Sequence, residues 1–113
     1  MVKLIYTVDE AVELVKELEY DNLKILPDTF HMNIDEADFA KSIVRGGNLI
    51  SLVHFADSNR LAPGQGHTDF DKIMGALSKI SYSGYICAEV LPRPNDQTAM
   101  EQSAGFFNKM KCR

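Results

Sequence analysis

The sequence predicts an α/β fold in which parallel strands alternate with helices. Two observations carry that prediction. Three short, nearly continuous apolar runs, Leu23–Leu26, Leu49–Phe55 and Gly84–Leu91, are separated by stretches in which apolar residues recur at helical spacing. Each run also carries, at or just beyond its end, a side chain suited to proton transfer or metal binding: Asp28, His54 and Glu89. Continuous apolar strands are those covered on both faces, as in a parallel sheet, whereas a half-wet antiparallel sheet reads as alternation. Strands joined through helices require right-handed crossovers, and ligands then gather beyond the carboxyl ends of the strands.

Taken in order, Thr7 and Glu10 have the spacing of a capping box, in which hydroxyl and carboxylate each satisfy a backbone donor at the first turn. A helix is expected from about Val8 to Glu19, with Val8, Ala11, Val12, Val15 and Leu18 as its buried stripe. Leu23–Leu26 is a strand closed by Pro27. Asn33, with Glu36 at the third position, can cap a second helix whose face is Ala37, Ala40, Ile43 and Val44, and Gly46-Gly47 stops it. Leu49–Phe55 is the next strand. The loop over residues 56–68 carries Pro63, Gly64 and Gly66, and loops of that length in small domains are usually functional. Asp69 starts a third helix bearing Phe70, Ile73, Met74, Leu77 and Ile80. After the strand Gly84–Leu91, Pro92-Arg93-Pro94 breaks the chain, and Thr98 with Glu101 repeats the capping-box spacing before a final helix whose Phe106, Phe107 and Met110 belong to the core. Residues 2–6 supply a further candidate strand.

With 45% hydrophobic and 25% charged residues over 113 positions, the chain is expected to fold as one domain around a real core rather than to remain disordered. A net charge of -4 without a Lys/Arg cluster argues against a nucleic-acid partner, whose affinity rests on counterion release by clustered cations. Thr7, Asp9 and Glu10 come too soon for a signal-peptide core, and no long uncharged span suggests a membrane, so the cytoplasm is the expected location. Cys87 and Cys112 are too far apart for a CxxC motif.

The most informative stretch runs from His54-Phe55-Ala56-Asp57-Ser58-Asn59-Arg60 through Pro63-Gly64-Gln65-Gly66 to Phe70. It sets a metal-type ligand at a strand end and an anion binder just beyond, the pattern of an active-site loop. Asp28-Thr29-Phe30-His31-Met32-Asn33 upstream and Ala88-Glu89-Val90 downstream do the same, so three ligands arise from three successive strand ends. Singly, Asp28 reads more readily as a cap or turn residue and His54 as a satisfied core histidine; the ordered set is what points to a metal shell. Asp57 either orients His54 or Arg60 or turns the chain. Gly64 and Gly66 read as backbone conformers rather than a phosphate cradle.

At these residues the chain resembles the sugar isomerase/epimerase family with a xylose-isomerase-like TIM barrel, which includes ketose 3-epimerases and related inositol-catabolism enzymes. The resemblance covers essentially the whole chain, and its specific part is the combination of residues 28–33 with the 54–66 segment. It implies a divalent metal, Mn²⁺, Mg²⁺ or Co²⁺, held at the barrel mouth by Glu, Asp, His and Glu from four strand ends. Asp28, His54 and Glu89 look like the last three of those ligands, Glu89 also like one of two acid/base carboxylates, and His31 and Arg60 like substrate-contacting residues. The implied reaction removes and returns a proton next to a sugar carbonyl, with one carboxylate on each face of the reacting carbon.

The family's first Glu would fall at about Met1, so the chain is expected to begin where that ligand belongs. Against the eight strands and ~250 residues of a TIM barrel, it is expected to be a C-terminal half of a (β/α)8 barrel forming a single domain over residues 1–113. Open strand edges and an exposed interior then call for cover, by a second copy closing two halves face to face or by a separate N-terminal half-barrel chain. The expected function is a metal-dependent isomerase/epimerase acting on a sugar or sugar phosphate and impaired as an isolated half-barrel; the alternative is a non-catalytic oligomeric half-barrel or sugar-binding remnant. An abasic-site endonuclease, which shares the barrel, is disfavoured by the acidic charge, the few histidines and the Asp57–Arg60 loop.

Overall fold

The first helix begins where the capping box sets it. In a computed structural model describing residues 6–111, Glu10 N donates to Thr7 Oγ1 (3.1 Å) and Thr7 N donates to Glu10 Oε1 (3.0 Å) at the head of α1, Val8–Leu18. Val8, Val12 and Val15 are its buried face, and Glu19 closes it in the left-handed region at φ 58°. The candidate strand at 2–6, save Tyr6, and the positions of Met1 and Cys112 lie outside the described residues.

Leu23–Leu26 does not form a full strand. It is reduced to parallel bridges at Ile25↔Ile50 and Asp28↔His54. The segment runs alongside its neighbour, with Ile25 N donating to Leu49 O (2.8 Å) and His54 N to the Pro27 carbonyl (2.9 Å). Pro27 has no N–H to return, which interrupts the ladder. The second helix also starts elsewhere than expected. Asp28, not Asn33, is the cap of α2, Thr29–Asp35, and Asn33 lies inside that helix. A separate helix, α3, spans Phe39–Gly46 and is capped by Asp38, whose Oδ1 accepts from Lys41 N (3.1 Å). Glu36 is extended between the two helices, and its carboxylate is drawn away from any local box. It accepts from Val8 N (2.6 Å) and from the Ser42 hydroxyl, tying the head of α1 to α3.

The strand β1, Leu52–Phe55, is shorter than the apolar run because Gly47–Leu49 form a 3-10 turn and Ile50 contributes only a bridge. It pairs in parallel with β2, Tyr85–Ala88, in the register Leu52↔Tyr85 and His54↔Cys87. One further bond, Glu89 N to Phe55 O (3.1 Å), carries the ladder to the strand ends. Between the strands, α4 (Phe70–Lys79) is capped by Asp69 as expected. The last helix, α5 (Asp96–Lys111), begins ahead of Thr98 because Asn95 Oδ1 accepts from Thr98 N (2.8 Å), leaving Thr98 in the first turn.

The helices cover one face of these parallel strands. Val53 and Phe55 are buried against them, with Phe55 in contact with the rings of Phe70 (5.0 Å), Phe107 (5.9 Å) and Phe106 (6.3 Å). By strand alternation, Leu52 and His54 on β1, with Tyr85, Cys87 and Glu89 on and after β2, belong to the other face. Tyr85 there is 82% exposed, so this second face is open rather than packed. Among the described residues, no helix is long and apolar enough to cross a membrane.

Candidate active site

The three strand-end residues meet. Ligand atoms of Asp28, His54 and Glu89 all lie within 4.8 Å of one another. The backbone explains why: the Asp28↔His54 bridge and the Glu89-to-Phe55 bond align three strand ends in one plane of the sheet. Asp28 divides its carboxylate between two tasks. Its Oδ1 accepts from Phe30 N (3.0 Å) and His31 N (3.3 Å) as the cap of α2, while Oδ2 faces His54 Nδ1 at 3.9 Å. The same His54 Nδ1 is hydrogen-bonded to Glu89 Oε2. The Asp28 side chain is 12% exposed and that of Glu89 52%, so Glu89 is the member with freedom to move toward solvent.

Two carboxylates and an imidazole converge here with their ligand atoms close enough to share one cation. Hard oxygens combined with one imidazole are donors that Mn²⁺, Mg²⁺ and Co²⁺ accept, so the residues present fit such an ion. Among the described residues the cluster has these three members.

Arg60 and His31 are joined through a residue that the sequence did not single out. The Arg60 guanidinium lies over the Phe30 ring, 5.2 Å from its centroid, and Phe30 meets His31 edge-on at 5.2 Å. This cation–aromatic wall stands on the first turn of α2, beside Asp28. No local pattern marks Phe30, because its partner is thirty positions away in the chain. Thr29 was missed for the same reason: fully buried, its hydroxyl donates to Ala56 O (2.7 Å) and accepts from Ala56 N (2.9 Å), locking two strand ends together.

Asp57 orients neither His54 nor the Arg60 side chain; it organises the loop. Its fully buried carboxylate accepts from Ser58 N (2.7 Å), Gly64 N (2.8 Å) and Thr68 N (3.0 Å). Burial alone would raise its pKa, but backbone N–H groups of Thr68, Ser58, Gly66 and Gly64 outweigh burial and hold it below the usual carboxylate value. The loop so gathered sets Arg60 in the left-handed region at φ 64°, with Arg60 N donating to Asp57 O (2.8 Å). Leu91 N in turn donates to Arg60 O (2.8 Å), so the loop also anchors the chain just beyond Glu89.

The two loop glycines differ in purpose. Gly64 has φ +96°, the backbone conformer expected of it, whereas Gly66 is needed for space. A Cβ on Gly66 would stand 2.5 Å from both Asp57 Oδ1 and Ser58 Oγ. Gly66→Ala is therefore expected to cost about 2 kcal/mol, read as a lower midpoint in urea denaturation with an unchanged slope.

Comparison with known proteins supplies a wider frame. The family model described as xylose isomerase-like TIM barrel matches residues 2–110. The D-psicose 3-epimerase of Ruminiclostridium cellulolyticum is 37% identical over 90 residues, covering 80% of this chain and 31% of that protein. A crystal structure of D-psicose 3-epimerase with D-tagatose, from Clostridium cellulolyticum H10, superposes with a TM-score of 0.78 at 36% identity, over 81% of this chain and 32% of that one. The apo form of 3-keto-D-glucoside 4-epimerase from E. coli superposes with a TM-score of 0.84 at 28% identity, over 95% of this chain and 41% of that one. The chain thus spans about a third of the length of the curated relatives it matches.

Proposed function

Since this chain belongs to the xylose isomerase-like TIM-barrel family, we propose that it is the metal-binding part of a sugar epimerase, working by proton transfer next to a sugar carbonyl. Its parallel strands and covering helices form part of a (β/α)8 barrel, and its relatives are sugar epimerases. The observation that carries the proposal is the convergence of Asp28, His54 and Glu89 at three neighbouring strand ends.

In this reading Asp28 Oδ2, His54 and Glu89 hold a divalent metal, which when bound polarises the sugar carbonyl and a neighbouring hydroxyl. Glu89 is the acid/base: its half-exposed carboxylate takes the proton from the carbon beside the carbonyl. Asp28 keeps its orientation because its other oxygen is fixed by the α2 cap. His31 and Arg60 bind the sugar's oxygens, or a phosphate on it. Arg60 rests one face of its guanidinium on Phe30 and keeps its N–H edge for hydrogen bonds. Inversion at carbon needs the proton returned from the opposite face, by a second carboxylate. That group is not among Asp28, His54 and Glu89, so in this reading it comes from polypeptide covering the open face of the sheet.

Two measurements test this. Native mass spectrometry with and without Mn²⁺ is expected to show one ion per chain. NMR of D-fructose and D-tagatose in D₂O is expected to show deuterium entering the carbon beside the carbonyl faster than the epimer accumulates, since a single carboxylate suffices for exchange. Absence of both metal uptake and exchange would sink the proposal. Metal and sugar binding without exchange would favour the non-catalytic, sugar-binding alternative.

A further inference from the structure

The three-residue cluster depends on where Asp28 stands relative to His54, and no regular ladder fixes that relation. From the bridge Ile25↔Ile50 to the bridge Asp28↔His54, one segment advances three positions and the other four. Ile25 N to Leu49 O and Ser51 N to Ile25 O belong to the first bridge, and His54 N to the Pro27 carbonyl (2.9 Å) belongs to the second. The extra residue between them breaks the ladder locally. A slip of one residue at this point would turn His54 to the opposite face of the sheet, away from Asp28 and Glu89.

Beyond Asp28 the main chain is committed to α2. Asp28 O accepts from Met32 N (2.9 Å), and Asp28 Oδ1 serves Phe30 N and His31 N. Thr29 is already the first residue of that helix, yet its side chain reaches the residue that follows β1. The hydroxyl accepts from Ala56 N (2.9 Å) and donates to Ala56 O (2.7 Å), so one oxygen supplies both the acceptor and the donor that a continuing strand would offer. Thr29 and Ala56 are fully buried, so the Ala56 N–H and C=O cannot turn to water instead. A β-branched side chain is stiff at χ1, which suits Thr to holding both bonds at once. The clamp lies one residue beyond Asp28 and two beyond His54, on the far side of the pair from the break in the ladder.

We propose that Thr29 is a positioning residue: its hydroxyl, bonded to both polar groups of the Ala56 backbone, sets the separation of Asp28 from His54. The clamp replaces the missing strand continuation, which lets Asp28 cap α2 with one oxygen while the other faces His54 at 3.9 Å. Its bearing on metal affinity rests on the reading of Asp28, His54 and Glu89 as a metal shell. Thr29 touches neither metal nor sugar in that reading and acts through Asp28.

Two variants of the full chain test it, each shown to be folded by circular dichroism. Thr29→Val keeps the size and branching of the side chain and removes both bonds; Thr29→Ser keeps the hydroxyl. In the metal-free Thr29→Val chain, amide hydrogen exchange followed by NMR should speed up at least about tenfold at His54 N–H while the amides of α4 keep their parental rates. Its Mn²⁺ affinity, measured by calorimetric titration, should fall at least about tenfold. Thr29→Ser should lie closer to the parent in both measurements. Parental His54 exchange in Thr29→Val would overturn the proposal, as would an equal rise throughout α4, which would assign Thr29 to global stability. Faster His54 exchange with undiminished Mn²⁺ affinity would also overturn it, since the hydroxyl would then support the sheet and not the site. A parent chain that takes up no Mn²⁺ would sink the metal reading instead, and the His54 exchange rates would then decide by themselves whether Thr29 sets the separation.

Discussion

Asp57→Ala is expected to destabilise the protein by about 4 kcal/mol, more than any other single change in the loop between β1 and α4. A buried donor left without an acceptor costs about 1–3 kcal/mol, and Asp57 serves the N–H groups of Ser58, Gly64 and Thr68 at once. The sum is held down because the loop opens and lets water in. Opening releases Arg60 from its left-handed conformer and weakens the Leu91-to-Arg60 bond, so the damage reaches the chain beside Glu89. Urea denaturation at neutral pH reads the energetic part. The pH dependence follows from the direction of the shift. Asp57 has a lower pKa in the folded protein than in the unfolded chain. The stability it contributes is therefore present above the unfolded-state pKa and lost as pH falls through the folded-state one, below about pH 4. Asp57→Asn should show a shallower loss of melting temperature over that acid range than the parent. An equally steep acid limb in the variant would assign acid sensitivity to other carboxylates.

Two substitutions at Asp28 are expected to separate metal binding from helix capping. Asp28→Asn keeps a carbonyl oxygen to accept from Phe30 N and His31 N, but loses the anionic oxygen that faces His54. Mn²⁺ affinity should fall at least about a hundredfold while stability changes by about 0.5 kcal/mol or less. Asp28→Ala should lose the affinity and also about 1 kcal/mol, the usual worth of an N-cap. His54→Ala should abolish measurable Mn²⁺ uptake, because the imidazole is the one member of the cluster in contact range of both carboxylates. Calorimetric titration of Mn²⁺ into each variant, paired with its denaturation curve, distinguishes these outcomes. Undiminished Mn²⁺ binding in His54→Ala would place the ion elsewhere in the molecule.

Much of the fold was legible in the sequence because its signals are local. The Thr7–Glu10 box, the stripe of Val8, Val12 and Val15, the Asp69 cap and the apolar β1 run involve residues within a turn or two of each other, where spacing alone decides what meets. The order of the strand-end residues Asp28, His54 and Glu89 was also readable, since a parallel sheet brings consecutive strand ends to one side. Where two local solutions competed, reading along the chain failed. Asn33 with Glu36 had good capping spacing, yet the Glu36 carboxylate is bonded to Val8 N, 28 residues away, and Asp28 took the cap. Leu23–Leu26 had a strand's composition, but its ladder depends on what lies beside it and on the donor that Pro27 lacks. The role of Asp57 was equally hidden, because its partners assemble only when the loop folds back over it.

The sequence by itself determined the alternation of strands and helices, the helix starts set by short-range capping, and the identity and order of Asp28, His54 and Glu89. Only the tertiary structure decided that those three side chains meet, that Asp28 serves as cap and candidate ligand at once, and that Phe30 carries Arg60. The physical reason is range. Capping and periodicity are energies between residues a few positions apart, whereas the Thr29–Ala56 and His54–Glu89 contacts join positions 27 and 35 apart and exist only after the sheet has set its register.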